Sequence, residues 1–200
     1  MAIVRPKMAD GETTSFTGIL PVGLWDFKDR SGDYDWADVF LSVELKVEGS
    51  EYTRFLELCG RLEKSPSGEV TGGFVLKRLY HFFDLIGFTG GLNLKGEWED
   101  SDGVAITNIA GHLNERFQTG NPIMDTSFDY LAYIYKEEPK QKGGKSYTKV
   151  HHRLFKNTTT GMAKMTEHVS WMKGKNFIKE WAGPSLNGAT TQQPVMSEPL

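Results

Sequence analysis

Val39-Phe40-Leu41-Ser42-Val43-Glu44-Leu45-Lys46-Val47 is the stretch that decides the fold. Its odd positions are all Val or Leu, while Ser42, Glu44 and Lys46 fall on the even ones. Successive side chains of an extended chain point to opposite faces, so this alternation predicts a half-buried strand over 38–48. Glu48-Gly49-Ser50-Glu51 supplies turn residues, and Tyr52, Arg54, Leu56, Leu58, Gly60 and Leu62 again share one parity. The segments 38–48 and 51–62 therefore read as a β-hairpin, ended by Ser65-Pro66-Ser67-Gly68.

Upstream, Ser15 to Phe27 reads as a strand interrupted by Pro21 and Gly23, with Pro21 suited to an edge or a bulge. Asp29 to Asp35 is an acidic, turn-rich loop. Downstream the period changes. Val75, Leu76, Leu79, Phe82, Phe83 and Ile86 recur at helical spacing before Gly87, which predicts a helix over 72–86. Leu92 to Glu99 and Val104 to Ile109 are expected as strands about an Asp100-Ser101-Asp102-Gly103 turn, and 110–128 shows no periodic pattern. Asp129 to Lys136 is expected as a strand, with Ser146 to Phe155 as its partner across a loop holding Pro139, Gly143 and Gly144. Thr158-Thr159-Thr160 can cap a helix near 161–173, whose stripe is Met162, Met165, Val169 and Met172.

These elements predict a mainly β chain with two helices: an OB-like five-stranded antiparallel barrel with insertions and a C-terminal helix. The domain spans 15–181, between a flexible arm at 1–14 and a disordered tail at 182–200 rich in Pro, Gly, Thr and Gln. Two hundred residues form a core without a staple. Cys59 is the single cysteine, which excludes an internal disulfide and a multi-cysteine zinc site. The N-terminus lacks an apolar signal region and no stretch approaches a membrane span, so a cytoplasmic protein with no membrane partner is expected.

Charge is sorted along the chain. Residues 136–181 hold 11 Lys and Arg against 4 Asp and Glu, whereas residues 1–135 hold 12 against 21. A basic block in an acidic chain gives a polyanion one place to bind. Aromatic residues interleave with that block. Lys140, Lys142 and Lys145 sit on the loop, and Lys149, Arg153 and Lys156 continue along the second strand. Tyr133, Tyr135 and Tyr147 offer stacking faces, and His151 joins them as a polar member of the same face. Thr148, Val150, His152 and Leu154 are expected to point inward. Cations for phosphates and rings for unpaired bases suit a single-stranded nucleic acid.

The pattern resembles phage-encoded single-stranded DNA-binding proteins. The resemblance covers roughly 36–180 and rests on Trp36 to Arg61, on Leu79 to Gly87, and on Tyr147-Thr148-Lys149-Val150-His151-His152-Arg153 with the helix after it. It implies non-catalytic, sequence-tolerant binding of single-stranded DNA in phage replication or recombination. It also brings replication proteins as partners and leaves room for a homo-oligomer. Many proteins of that group end in a dense acidic tail. Here Gln192 to Leu200 carries only Glu198.

Other chemistry has weaker support. His151 and His152 are adjacent and point to opposite faces of a strand, and His81, His112 and His168 are scattered, so no metal site is expected. Glu97, Glu99, Asp100 and Asp102 could serve a magnesium-dependent DNA-processing enzyme, but Asp-Ser-Asp-Gly is ordinary turn chemistry. Gly87 to Gly91 follows a helix instead of opening one, and there is no nucleophile elbow. No catalytic residue and no cofactor is expected. The remaining rival is a structural or interaction component of a virus, whose basic block would meet an acidic protein.

Overall fold

The alternating stretch forms β2 (Val39–Val47), and the hairpin partner forms β3 (Thr53–Gly60). Their register pairs Leu41 with Leu58 and Val43 with Leu56, so the apolar parities of both strands face one interior. The computed structural model describes residues 16–120, 127–141 and 144–181. The expected arm at 1–14, the tail at 182–200 and Lys142 lie outside the described residues.

β1 (Gly18–Asp29) pairs antiparallel with β2 on one side and with β8 (Tyr130–Lys136) on the other. Pro21 therefore sits in a central strand, not at an edge. Its carbonyl accepts from Glu48 N just beyond the β2 ladder, so the N–H that proline lacks would face the end of that ladder and the loss falls at its margin. A bulge follows between Leu24 and Asp26. The free edge of β8 carries β9 (Thr148–Val150) and β10 (Phe155–Lys156). β9 returns beside β3, and the five-stranded antiparallel barrel is nearly closed, in the OB-like arrangement with a C-terminal helix.

The expected single strand 146–155 is thus two short ones. Ile134 pairs with Val150 but Leu131 pairs with Phe155, so two extra residues are looped out between them. This bulge turns His151 inward and breaks the parity expected for 151–155.

α1 (Phe74–Ile86) closes one end of the barrel with Val75, Leu79, Phe82, Phe83 and Ile86. It ends at Gly87, whose φ of 74° is the left-handed cap the sequence predicts. The hairpin turn at Ser65–Gly68 joins two short strands, β4 (Glu63–Lys64) and β5 (Val70–Gly72). The stretch 92–109 departs from expectation. Only β6 (Gly91–Leu92) and β7 (Trp98–Glu99) pair, Ala105 makes a single bridge to Glu99, and Ile109 begins a third helix, α2 (Ile109–Phe117). Asn108 caps α2 by accepting from Gly111 N. Asn114 on α2 accepts from Phe27 N and donates to Asp26 and to the Phe27 carbonyl, which fastens the helix to the β1 bulge.

α3 (Thr159–Gly174) is the C-terminal helix, capped by Thr158. It does not enter the barrel. Met165, Val169 and Met172 pack with Ile178 onto Tyr133, Tyr135 and Ile19, on the outer face of β8 and β1. The barrel interior takes Tyr130, Ala132 and Ile134, the alternate residues of β8. One strand thus feeds two cores, and neither face of its middle is left to solvent.

Candidate nucleic-acid interface

The barrel is open where β9 lies alongside β3 with no ladder between them. A concavity of about 720 Å³ occupies this seam. Its floor is the outward parity of β3 (Thr53, Phe55, Glu57 and Cys59), and its other wall is Tyr147 to Val150. A second cavity of about 730 Å³ lies between α1, the 151–154 bulge and α3. Arg78, Tyr135, His151 and His152 border both, so the two form one trough.

Arg54, Lys77, Arg78, Lys149 and Arg153 line this trough, against Glu57 as the one acid among the described residues that line it. Phe55, Phe74, Tyr147, Trp171 and Phe177 present rings to solvent along it, with Tyr147 64% exposed. Large exposed rings gathered in a groove mark a recognition surface more than a packing surface. Lys77 Nζ lies 5.8 Å from the centre of the Phe74 ring. Lys149 is tied to Glu137 at 2.6 Å, which offsets part of its charge. The Nε atoms of Arg54 and Arg153 and Nε2 of His168 are buried and lack a hydrogen-bond partner among the described residues. A buried donor without a partner costs free energy, which a ligand accepting from it would recover.

Four histidines meet in the second cavity. The rings of His151 and His152 lie 4.1 Å apart between centres, and those of His151 and His168 lie 5.3 Å apart. His81 Nε2 faces the Leu154 carbonyl oxygen at 3.4 Å. Burial first, and then neighbouring His152, push the His151 pKa down to about 3. Burial and then the Arg78 guanidinium push His152 down to about 4. Burial and then Arg153 lower both His81 and His168. All four are held toward the neutral form at physiological pH, where an imidazole both donates and accepts.

The structure separates the residues expected to bind. Tyr135, Tyr147, Lys149, His151 and Arg153 line the trough. Lys140 and Lys145 lie on the exposed 137–147 loop, around a hollow that shares Tyr147 and Lys149 with the trough, so they extend its rim. Tyr133 does not belong there. It is 3% exposed, stacked on Tyr135 beneath α3, with its hydroxyl donating to Glu180 and Lys173 Nζ 5.4 Å over its ring. Tyr133 and Tyr135 share the outer face of β8, and that face is where α3 docks. His151 is buried at 8% exposure, not displayed, because the bulge rotates it inward. Lys156 lies outside the trough lining, with Nζ 4.7 Å from the centre of the Tyr130 ring.

Several trough residues carry no signal in the basic block. Arg54 and Phe55 come from the acidic half of the chain. Phe74, Lys77, Arg78 and His81 step by three, one and three along α1, forming the stripe opposite its core residues. His168 and Trp171 do the same on α3, three apart. A reading of the second face of each helix, with its repeated cations and rings, could have found them.

The acidic cluster is occupied locally. Asp100 accepts from the backbone N–H groups of Asp102 and Val104, and Asn93 donates to Glu97 and Glu99. No set of three or more His, Cys, Asp or Glu placed to hold a metal ion occurs among the described residues. None of their helices is long and apolar enough to cross a membrane. No protein-family model, no curated protein and no solved structure matches the chain.

Proposed function

We propose that the chain binds single-stranded nucleic acid, with single-stranded DNA as its ligand, in the trough along the β3–β9 seam and without reading sequence. The observation that carries this reading is the convergence of five cations and five exposed rings, with one acid among the described lining residues, on one groove. Phosphates are met by Arg54, Lys77, Arg78, Lys149 and Arg153, and bases stack on Phe55 and Tyr147 at about 1–3 kcal/mol each. A duplex hides its base faces and gains only the electrostatic part. The resemblance to phage-encoded single-strand binders supplies the setting within the same proposal: non-catalytic protection of DNA during viral replication or recombination in the host cytoplasm, beside replication proteins.

Fluorescence anisotropy with labelled oligo-dT and a duplex of equal length tests it. Five phosphate contacts on a single strand give a log–log salt slope of about −3.5, or about a hundredfold loss of affinity from 50 to 200 mM salt. The single strand is expected to bind more tightly than the duplex. Equal affinity for both, or a flat salt dependence, overturns the reading.

A further inference from the structure

The second cavity differs in character from the seam. The seam floor carries Glu57, whereas no Asp or Glu is among the described residues lining the cavity. Its charged and titratable groups come from four elements. α1 contributes Lys77, Arg78 and His81, with Asp84 near His81. The bulge contributes His151, His152 and Arg153, α3 contributes His168, and β8 contributes Tyr135. Neither Arg78 nor Arg153 forms a salt bridge among the described residues. Arg153 lies over the Phe155 ring at 5.2 Å, with its Nε buried and unpartnered beside the equally unpartnered Nε2 of His168. Two guanidiniums without carboxylate partners among the described residues, set among imidazoles in a half-enclosed cavity, suit an anion.

We propose that this cavity is a phosphate pocket, with Arg78 and Arg153 as its permanent charges and His168 and His81 as the imidazoles that gain a proton when it fills. The pocket deepens the single-strand reading and rests on it for the source of the phosphate. Arg153 is the guanidinium that opposes protonation of both His81 and His168. A phosphate on Arg153 cancels that opposition and adds its own attraction, so one imidazole takes a proton from solution. The hydroxyl of Tyr135, the buried His151 and the half-buried His152 remain neutral and serve as hydrogen-bonding walls. Two sources share the chemistry: an internal phosphodiester of the bound strand, and a terminal phosphomonoester with nearly twice the charge.

Calorimetric titration of the full chain tests the pocket, in two buffers of different ionisation enthalpy, at pH 8 and pH 6.5. The probes are inorganic phosphate, oligo-dT, and oligo-dT carrying a 5′ phosphate. Oligo-dT, whose internal phosphodiesters keep one charge throughout this range, is expected to bind with net proton uptake and to tighten toward pH 6.5, by at most about tenfold per pH unit for one proton, while inorganic phosphate, which itself exchanges a proton in this range, reads affinity alone. Arg153→Gln and Arg78→Gln should each weaken inorganic phosphate by about tenfold or more, the scale of a charge-assisted contact. Tyr147→Ala should weaken the oligonucleotides and leave phosphate unchanged. A 5′ phosphate that tightens binding in the wild-type chain but not in Arg153→Gln assigns the pocket to strand ends, and equal affinity with and without it assigns the pocket to internal phosphates. Should a variant fail to fold, proton uptake by the wild-type chain still decides. Oligo-dT bound with no proton exchange and no phosphate competition overturns the pocket and leaves the strand reading standing. Phosphate bound by the wild-type chain and weakened by Arg153→Gln, in a chain that ignores oligo-dT, does the reverse.

Discussion

Moving from pH 7.5 to pH 5 should destabilise the free protein by about 3 kcal/mol through two histidines. His151 is buried against His152 and His168 and titrates near 3 in the fold, and His152 titrates near 4. An unfolded histidine titrates near 6.5. Below that value the unfolded chain takes up protons that the folded rings refuse, so stability falls as pH falls. Above it both states are neutral and the slope vanishes. One and a half pH units at about 1.4 kcal/mol each give about 2 kcal/mol for His151 at pH 5. His152 is half-buried, and solvent screening discounts its share to about 1 kcal/mol. The total is a large part of the roughly 5–15 kcal/mol that holds a domain together. Asp38 also shifts, downward, chiefly because its carboxylate accepts from Leu62 N–H. Its stabilisation is lost only around and below the ordinary carboxylate range, outside this window. Urea unfolding followed by circular dichroism at pH 7.5, 6.5, 5.5 and 5 measures the slope. The double variant His151→Gln, His152→Gln should flatten it. Stability at pH 5 within about 0.5 kcal/mol of that at pH 7.5, or an unchanged slope in the double variant, refutes the placement of these rings.

Three further outcomes separate binding from packing. Tyr147→Ala should lose about 1–3 kcal/mol of oligo-dT affinity with an unchanged salt slope and unchanged urea midpoint, since its ring is mostly in solvent. Tyr133→Ala should instead cost about 3–5 kcal/mol of stability, read from the urea midpoint, because the ring is the floor under α3. Gly161→Ala should cost about 1–3 kcal/mol in the same assay, because a Cβ there overlaps the Lys156 carbonyl oxygen where α3 starts against β10.

The barrel was legible wherever one physical signal dominated. Strict alternation at 39–47 gave β2 and the hairpin, and the Val75-to-Ile86 stripe with Gly87 gave α1 almost to the residue. Thr158 was recognisable as a cap because Gly161 N needs a partner. α2 escaped because nine residues with three buried apolar side chains carry little period, and its anchor is Asn114 reaching β1 87 residues away. The β9–β10 break escaped for a similar reason. Tyr147 to Phe155 alternates well enough for one strand, and only the pairing with β8 shows two residues looped out. The candidate residues on the loop and β9 were visible as a basic, aromatic run. Their partners on α1, α3 and β3 were not, because they are distant in sequence and meet only after the barrel closes.

Segment charge turns out to be a poor guide to the field at the trough. The block 136–181 carries an excess of seven positive charges, yet Lys149 is balanced by Glu137 and Lys173 by Glu180 at 2.8 Å. Lys173 also lies over the Tyr133 ring, 5.4 Å from its centre. Meanwhile Arg54, Lys77 and Arg78 come from the half of the chain that is acidic in sum. The sorting that matters is therefore spatial. α3 takes the outer face of β8, and the two tyrosines beneath it join a core. Among the described residues, the outward face of β3 is the sheet surface that borders the seam opposite Tyr147 to Val150. If α3 were shifted off β8, the exposed tyrosines would form a second, rival platform. On the proposed reading, the packing of Met165, Val169 and Met172 confines binding to the seam, and substitutions that loosen α3 should raise oligo-dT affinity in the anisotropy assay before they abolish it.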